Sequence, residues 1–223
     1  MNIVEYADRD MLMIDLANTL AGDLKTALTN HDRVSLAVPG GTTPAPMFDY
    51  LSGADLDWAR VTVMLTDERW VAEDSDRSNT GLIRRHLLTG PAAAADFVPF
   101  YGGTDTPEGS LSTVAQAVTP LVPISVMVLG MGTDMHTASI FPGADRLADA
   151  LAPDAPPLMA MRAPGAAEPR ITLTAPVLQG AMAVHLLITG AEKRAALERA
   201  AHLAPAEAPV ALILKHATIH WAE

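Results

Sequence analysis

Short apolar runs rich in β-branched residues recur along this chain, and stretches of helical periodicity separate them. The runs are Arg33–Val38, Val61–Leu65, Ile124–Leu129, Arg170–Thr174, Ala183–Ile188 and Pro209–Leu214, each read as a buried strand. Weaker strand patterns lie at Asn2–Tyr6, Phe97–Val98 and Leu158–Met161. From Asp8 to about Leu28, Met11, Ile14, Leu16, Leu20, Leu24 and Leu28 fall at helical steps. Further helices are expected from Pro44 to about Leu51, from Ser78 through Leu88, from about Pro107 to Val118, and from Gly190 to about Leu203. Strands alternating with helices predict an α/β fold: a doubly wound, mostly parallel sheet flanked by helices. In such a sheet ligands bind outside the carboxyl ends of the strands, so the loops that follow strands are where chemistry is sought.

Bulk properties narrow the classes of function. At 223 residues, 49% hydrophobic and 18% charged, the chain supports one sizeable core, and a single domain over 1–223 is expected. Cysteine is absent, which excludes disulfides, thiol catalysis and cysteine metal sites. Twenty-six acids against fifteen bases give a formal charge of −11, a surface that repels nucleic acid and anionic membranes. An anionic ligand must then be held by a few focused cations and backbone amides. No apolar run approaches the roughly 18 residues of a membrane span. Glu5, Asp8 and Asp10 stand where a signal peptide would carry cations, so a cytoplasmic protein is expected.

Two post-strand loops carry candidate chemistry. Gly40-Gly41-Thr42-Thr43 lies between a strand and a helix start, where glycines turn amides into one concavity and the helix end adds positive potential. That is either a phosphate cradle or an ordinary strand–glycine–helix turn. Arg69, Arg77 and Lys193 occupy comparable positions after strands. A cation in a first helical turn opposes the macrodipole, so Lys193 is either a solvated lysine or the partner of a bound anion. The second loop is Leu129–Gly143, with Asp134 and His136 where the chain leaves its strand. His136 there is either a turn cap or a general base working near neutral pH. Gly130 and Gly132 resemble the opening of a dinucleotide fingerprint, but Met135 occupies the third glycine position, and no nicotinamide cofactor is expected. His216 and His220 lack a metal-binding pattern, and no Walker loop, serine elbow or zinc spacing occurs.

Taken together, Pro39–Pro44, Thr66–Val71, Ser78-Asn79, Gly130–Pro142, Arg170–Thr174 and Thr189-Gly-x-x-Lys193 resemble the 6-phosphogluconolactonase family, also called glucosamine/galactosamine-6-phosphate isomerase-like. The resemblance covers nearly the whole chain, and its glycine–histidine segment is the most specific part. It implies a modified Rossmann-like fold and hydrolysis of 6-phospho-D-glucono-1,5-lactone in the pentose phosphate pathway, with no metal or cofactor. It implies His136 as the base that activates water, with Asp134 beside it. Asp67, Arg69, Arg77, Lys193 and the Gly40–Thr43 loop are implied around the substrate. The family usually has Gly where this chain has Met135, and an Asn near Ala175-Pro176. The sugar-phosphate lactone is the expected partner, with no nucleic acid or membrane, in a monomer or weak homodimer.

Aminosugar-phosphate deaminases share the implied fold and are the alternative, but they follow the histidine with an extra glutamate that Thr137–Gly143 lacks. A non-catalytic sugar-phosphate sensor is the third reading. Sensors of this kind carry a DNA-binding segment, which the chain does not show before its first strand.

Overall fold

The computed structural model describes residues 1–223. Ten strands form: β1 (Asn2–Glu5), β2 (Val34–Val38), β3 (Val61–Leu65), β4 (Asp67–Arg69), β5 (Asp96–Val98), β6 (Val126–Gly130), β7 (Leu158–Met161), β8 (Arg170–Leu173), β9 (Ala183–Thr189) and β10 (Thr218–Ala222). Seven α-helices accompany them: α1 (Arg9–Asn30), α2 (Ala45–Ser52), α3 (Asn79–His86), α4 (Leu111–Val118), α5 (Leu147–Leu151), α6 (Ala175–Gly180) and α7 (Ala191–Ala200).

Seven strands make one sheet in the order β1-β10-β9-β6-β2-β3-β5, and every pairing in it is parallel. The expected α/β class holds. Every residue of β2 and β3 is buried, as parallel strands covered by helices on both faces require. From β2 the chain steps outward through β3 to β5, then returns to place β6 on the opposite flank of β2. The order therefore reverses between β2 and β6, and a crevice opens at such a switch point.

α1 shows how the layers lock. Asp8 caps it, its carboxylate accepting from Met11 N at 2.8 Å, which satisfies one orphan amide of the first turn. Its buried stripe is Leu12, Leu16, Leu20 and Leu24, with Met13 alongside. Met11, expected on that face, is exposed.

The structure corrects the sequence reading in two places. Pro209–Leu214 is not a strand: Pro209–Leu212 forms a 3-10 turn, and the last strand is β10. Proline cannot donate to a ladder, its fixed φ suits a helical turn, and a short apolar run does not distinguish buried strand from buried turn by periodicity. Val210 N donates instead to the Met135 carbonyl at 3.1 Å, fastening this turn to the histidine loop. The second correction is a separate three-stranded antiparallel sheet, β4-β8-β7. Thr66–Trp70, the segment that follows β3 and carries no strand expectation, contains β4. Two backbone bonds stitch this small sheet to the large one: Thr66 N donates to Val38 O and Leu173 N donates to Thr66 O, both at 2.9 Å. No helix is long and apolar enough to cross a membrane.

Candidate active site

The carboxyl ends of β2 and β6 open a hollow of about 760 Å³, open solvent at its mouth included. Gly40, Gly41 and Thr43 line one wall, and Gly130, Met131, Gly132 and His136 line the facing one. The small sheet contributes Asp67, Arg69 and Arg170, α3 contributes Asn79, and α7 contributes Lys193. Thr42 is exposed and lies outside the lining.

Glycine is dictated at two of these positions by close approach. A Cβ on Gly40 would collide with the Asn79 amide, and a Cβ on Gly132 would collide with both the His136 ring and the Asp134 carboxylate. Gly41 adds a φ of 89°, in the region that L side chains avoid.

The His136 ring is held from one edge. Its Nδ1 lies 2.5 Å from Asp134 Oδ1, and its backbone N–H donates to the same oxygen at 3.2 Å. With Nδ1–H committed to a carboxylate, Nε2 carries the free lone pair, the tautomer a base needs. Burial pushes Asp134 up, but the hydrogen bonds and charge of His136 outweigh it and hold the carboxyl below its ordinary value. Met135, where the resemblance leads one to expect Gly, has a φ of 66°, and Ala138 has a φ of 49°. The usual glycine thus has a physical reason, and this chain tolerates a side chain at a left-handed position.

Behind the site lies a buried polar cluster. Ser139 Oγ donates to Asp67 Oδ2 at 2.6 Å, and Arg170 Nη1 reaches Ser139 Oγ at 3.4 Å and Asp67 Oδ2 at 3.8 Å. Ser139 N donates to Thr172 Oγ1 at 3.0 Å, tying the histidine loop to β8. Glu68, fully buried, caps α3: its carboxylate accepts from Arg69 N and Asn79 N at 2.8 Å and from Thr80 N at 2.7 Å. Burial raises its pKa against those donors. The effect is to fix Arg69 and Asn79, one on each side, at the hollow.

The expected cations separate. Arg69 and Lys193 line the hollow. Burial holds the Lys193 ammonium below its ordinary pKa, opposed by the charge of Glu192. Arg77 does not line it. Its guanidinium forms a two-pronged pair with Glu168, with Nη2 at 2.9 Å from Oε2, and that contact lowers the Glu168 carboxyl. Arg170 does line the hollow, although sequence reading assigned it only to a strand. In the sequence it stands at the head of Arg170–Thr174, a strand and one of the segments that carry the family resemblance, with no role of its own assigned. The lining holds three cations, Arg69, Arg170 and Lys193, against one carboxylate, Asp67. In a molecule of net charge −11 this is a focused positive site.

A family model described as glucosamine-6-phosphate isomerases/6-phosphogluconolactonase matches residues 7–221. The chain belongs to that family. It is an enzyme of the family, and its similarity runs to the lactonases within it. A 6-phosphogluconolactonase of Rhizobium meliloti (strain 1021) is 43% identical over 214 residues, covering 93% of this chain and 92% of the relative. A 6-phosphogluconolactonase of Caulobacter vibrioides is 41% identical over 226 residues, with 98% and 96% covered. The crystal structure of a 6-phosphogluconolactonase from Shewanella baltica OS155 superposes with a TM-score of 0.96 at 31% identity, covering 100% of this chain and 98% of that one.

Proposed function

We propose that this enzyme hydrolyses 6-phospho-D-glucono-1,5-lactone to 6-phosphogluconate, in the oxidative branch of the pentose phosphate pathway, with His136 as general base. The observation that carries the reading is the His136 ring itself: it borders a cationic hollow with Nδ1 bound to Asp134 and Nε2 left free. The substrate phosphate docks on the Gly40–Thr43 amides and Lys193, with Arg69 and Arg170 adding positive potential. Charge-assisted hydrogen bonds contribute roughly 1.5–3 kcal/mol each. Three of them approach the roughly 8 kcal/mol of micromolar binding.

His136 Nε2 takes a proton from water as the oxygen attacks C1, and the carbonyl oxygen becomes an oxyanion that the cationic lining stabilises. Collapse expels the ring oxygen, which takes the proton back from the imidazolium, and the new carboxylic acid ionises. Asp134 holds the ring through Nδ1. Arg77 is paired with Glu168 and would meet a phosphate only by giving up that pair. A deaminase needs a further proton donor, and the one carboxylate in the lining, Asp67, is already engaged by Ser139 and Arg170.

The test is proton release on adding fresh lactone to the purified chain, against the spontaneous rate. His136→Ala should cut kcat about 10²–10⁴-fold with little change in KM. Full turnover in that variant removes His136 from its role, and ammonia released from glucosamine-6-phosphate would move the chain to the deaminases.

A further inference from the structure

His136 and Arg170 come from distant parts of the chain, yet both rest on one aromatic ring. The Phe141 and His136 centroids are 4.0 Å apart with planes inclined by 29°, a stacked arrangement. The Arg170 guanidinium carbon lies 5.6 Å from the same Phe141 centroid, within cation–π range. Phe141 does not itself line the hollow. From behind it packs against a separate small core of Ala144, Ala150, Met159 and Met161, which ties the ring to β7 and α5.

Neither charged group is fully fixed by its polar partners. An imidazole held by hydrogen bonds at one edge can still tilt, because the torsion that turns its plane has a broad well. The Arg170 Nε is buried without a hydrogen-bond partner, and its Nη1 contacts are long, at 3.4 and 3.8 Å. A flat face is what each group lacks, and Phe141 supplies it. Once His136 has taken the proton of the attacking water, the imidazolium faces the negative side of that ring, an attraction no aliphatic side chain of similar bulk offers.

We propose that Phe141 is a positioning residue for the reaction, a single aromatic platform that sets the His136 imidazole and the Arg170 guanidinium in register with each other. The inference rests on His136 being the base.

The experiment compares Phe141→Leu and Phe141→Met with Phe141→Tyr in the full chain, alongside His136→Ala. Folding is checked by circular dichroism and thermal melting. The aliphatic variants keep much of the volume and lose the π face; Tyr keeps both. Leu and Met should lower kcat roughly three- to thirtyfold and raise KM, while Tyr stays within about twofold of wild type. The His136 ring-proton resonances, shifted upfield by the ring current, should move downfield in Leu and Met and not in Tyr. Wild-type kcat in either folded aliphatic variant overturns the proposal, as does a Tyr variant that loses as much as Leu. In those cases a dead His136→Ala leaves the lactonase reading standing. A fully active His136→Ala, or no turnover in the wild type, removes both.

Discussion

Met135 sits where two residue-scale costs pull in opposite directions. Its φ of 66° costs roughly 1–2 kcal/mol for a residue with a Cβ. Its side chain is half-buried against the core and returns part of that through packing. Replacing it by Ala keeps the strain and removes the packing, whereas Gly removes both. At an ordinary position Gly is the less stable of the two; here the order should invert. Met135→Gly should exceed Met135→Ala by about 1 kcal/mol in urea unfolding, and the reverse order would show that the loop relaxes out of the left-handed region. The cations give a second comparison. Lys193→Ala should raise KM well above the rise in Arg77→Ala, since only Lys193 lines the hollow while Arg77 is tied to Glu168. Equal rises would place Arg77 on the phosphate. Several residues of this hollow stood out in the sequence because glycine, histidine and lysine at the ends of parallel strands are costly unless they have a purpose there. Arg170 and Phe141 did not stand out. Arg170 reaches the hollow only through the antiparallel pairing of β4 with β8, about a hundred residues apart, and no local pattern encodes that pairing. Phe141 stands in the sequence only inside the Gly130–Pro142 segment, and no local pattern shows which rings stack on it.

At the scale of elements, one buried hydrogen-bonded chain clips four of them together. Tyr6 Oη, just past β1, lies 2.8 Å from His220 Nδ1 on β10; His220 Nε2 lies 3.0 Å from His185 Nδ1 on β9; His185 Nε2 lies 2.8 Å from Asp23 Oδ2 on α1. The three contacts are satisfied in one direction with both imidazoles neutral: tyrosine donates to His220, His220 to His185, His185 to aspartate. Protonating both rings would set one N–H against another. Burial, with the neighbouring His185, pushes the His220 pKa down to about 4, opposed by Asp23. The unfolded ring titrates near 6.5, so the unfolded state takes up the proton first as pH falls. Stability is therefore full above about pH 6.5 and should drop by on the order of 2–3 kcal/mol between there and pH 4. His220→Gln, neutral throughout, should flatten that slope when urea midpoints are compared at pH 7, 5.5 and 4.5. A wild-type midpoint as flat as the variant's would rule the chain out as the acid-sensitive clip. In the sequence His220 stands out only beside His216, without a metal-binding pattern, and His185 only as part of its strand, because their partners lie on other elements. The β10 strand that carries one lies in a C-terminal segment whose pattern fits either irregular chain or strand, while the stronger apolar run, Pro209–Leu214, reads as the last buried strand. The other six strands of the parallel sheet were readable, most clearly β2, β3, β6 and β9, since buried parallel strands leave a continuous apolar signature.

At the scale of the whole molecule, the substrate dianion meets two opposing fields. The net charge of −11, spread over a radius of about 20 Å, opposes it by about 4–5 kcal/mol in unscreened water. The lining's excess of two positive charges attracts it by at least about 4 kcal/mol at a distance of about 4 Å, and by more at the lower dielectric of a cleft. Salt does not weaken the two equally. Near 0.1 M the Debye length is about 10 Å, which cuts the distant repulsion to about a seventh and leaves about two-thirds of the local attraction. KM for the lactone should therefore fall, by about three- to fivefold, as sodium chloride rises from roughly 0.01 to 0.1 M. Above roughly 0.5 M, where the Debye length approaches the contact distance, KM should climb again. Lys193→Ala removes one of the two excess charges, so its rise at high salt should be shallower while its fall at low salt persists. A KM that rises steadily from the lowest salt would mean that the acidic surface is not felt at the hollow, and the balance of near and far charge would lose its basis.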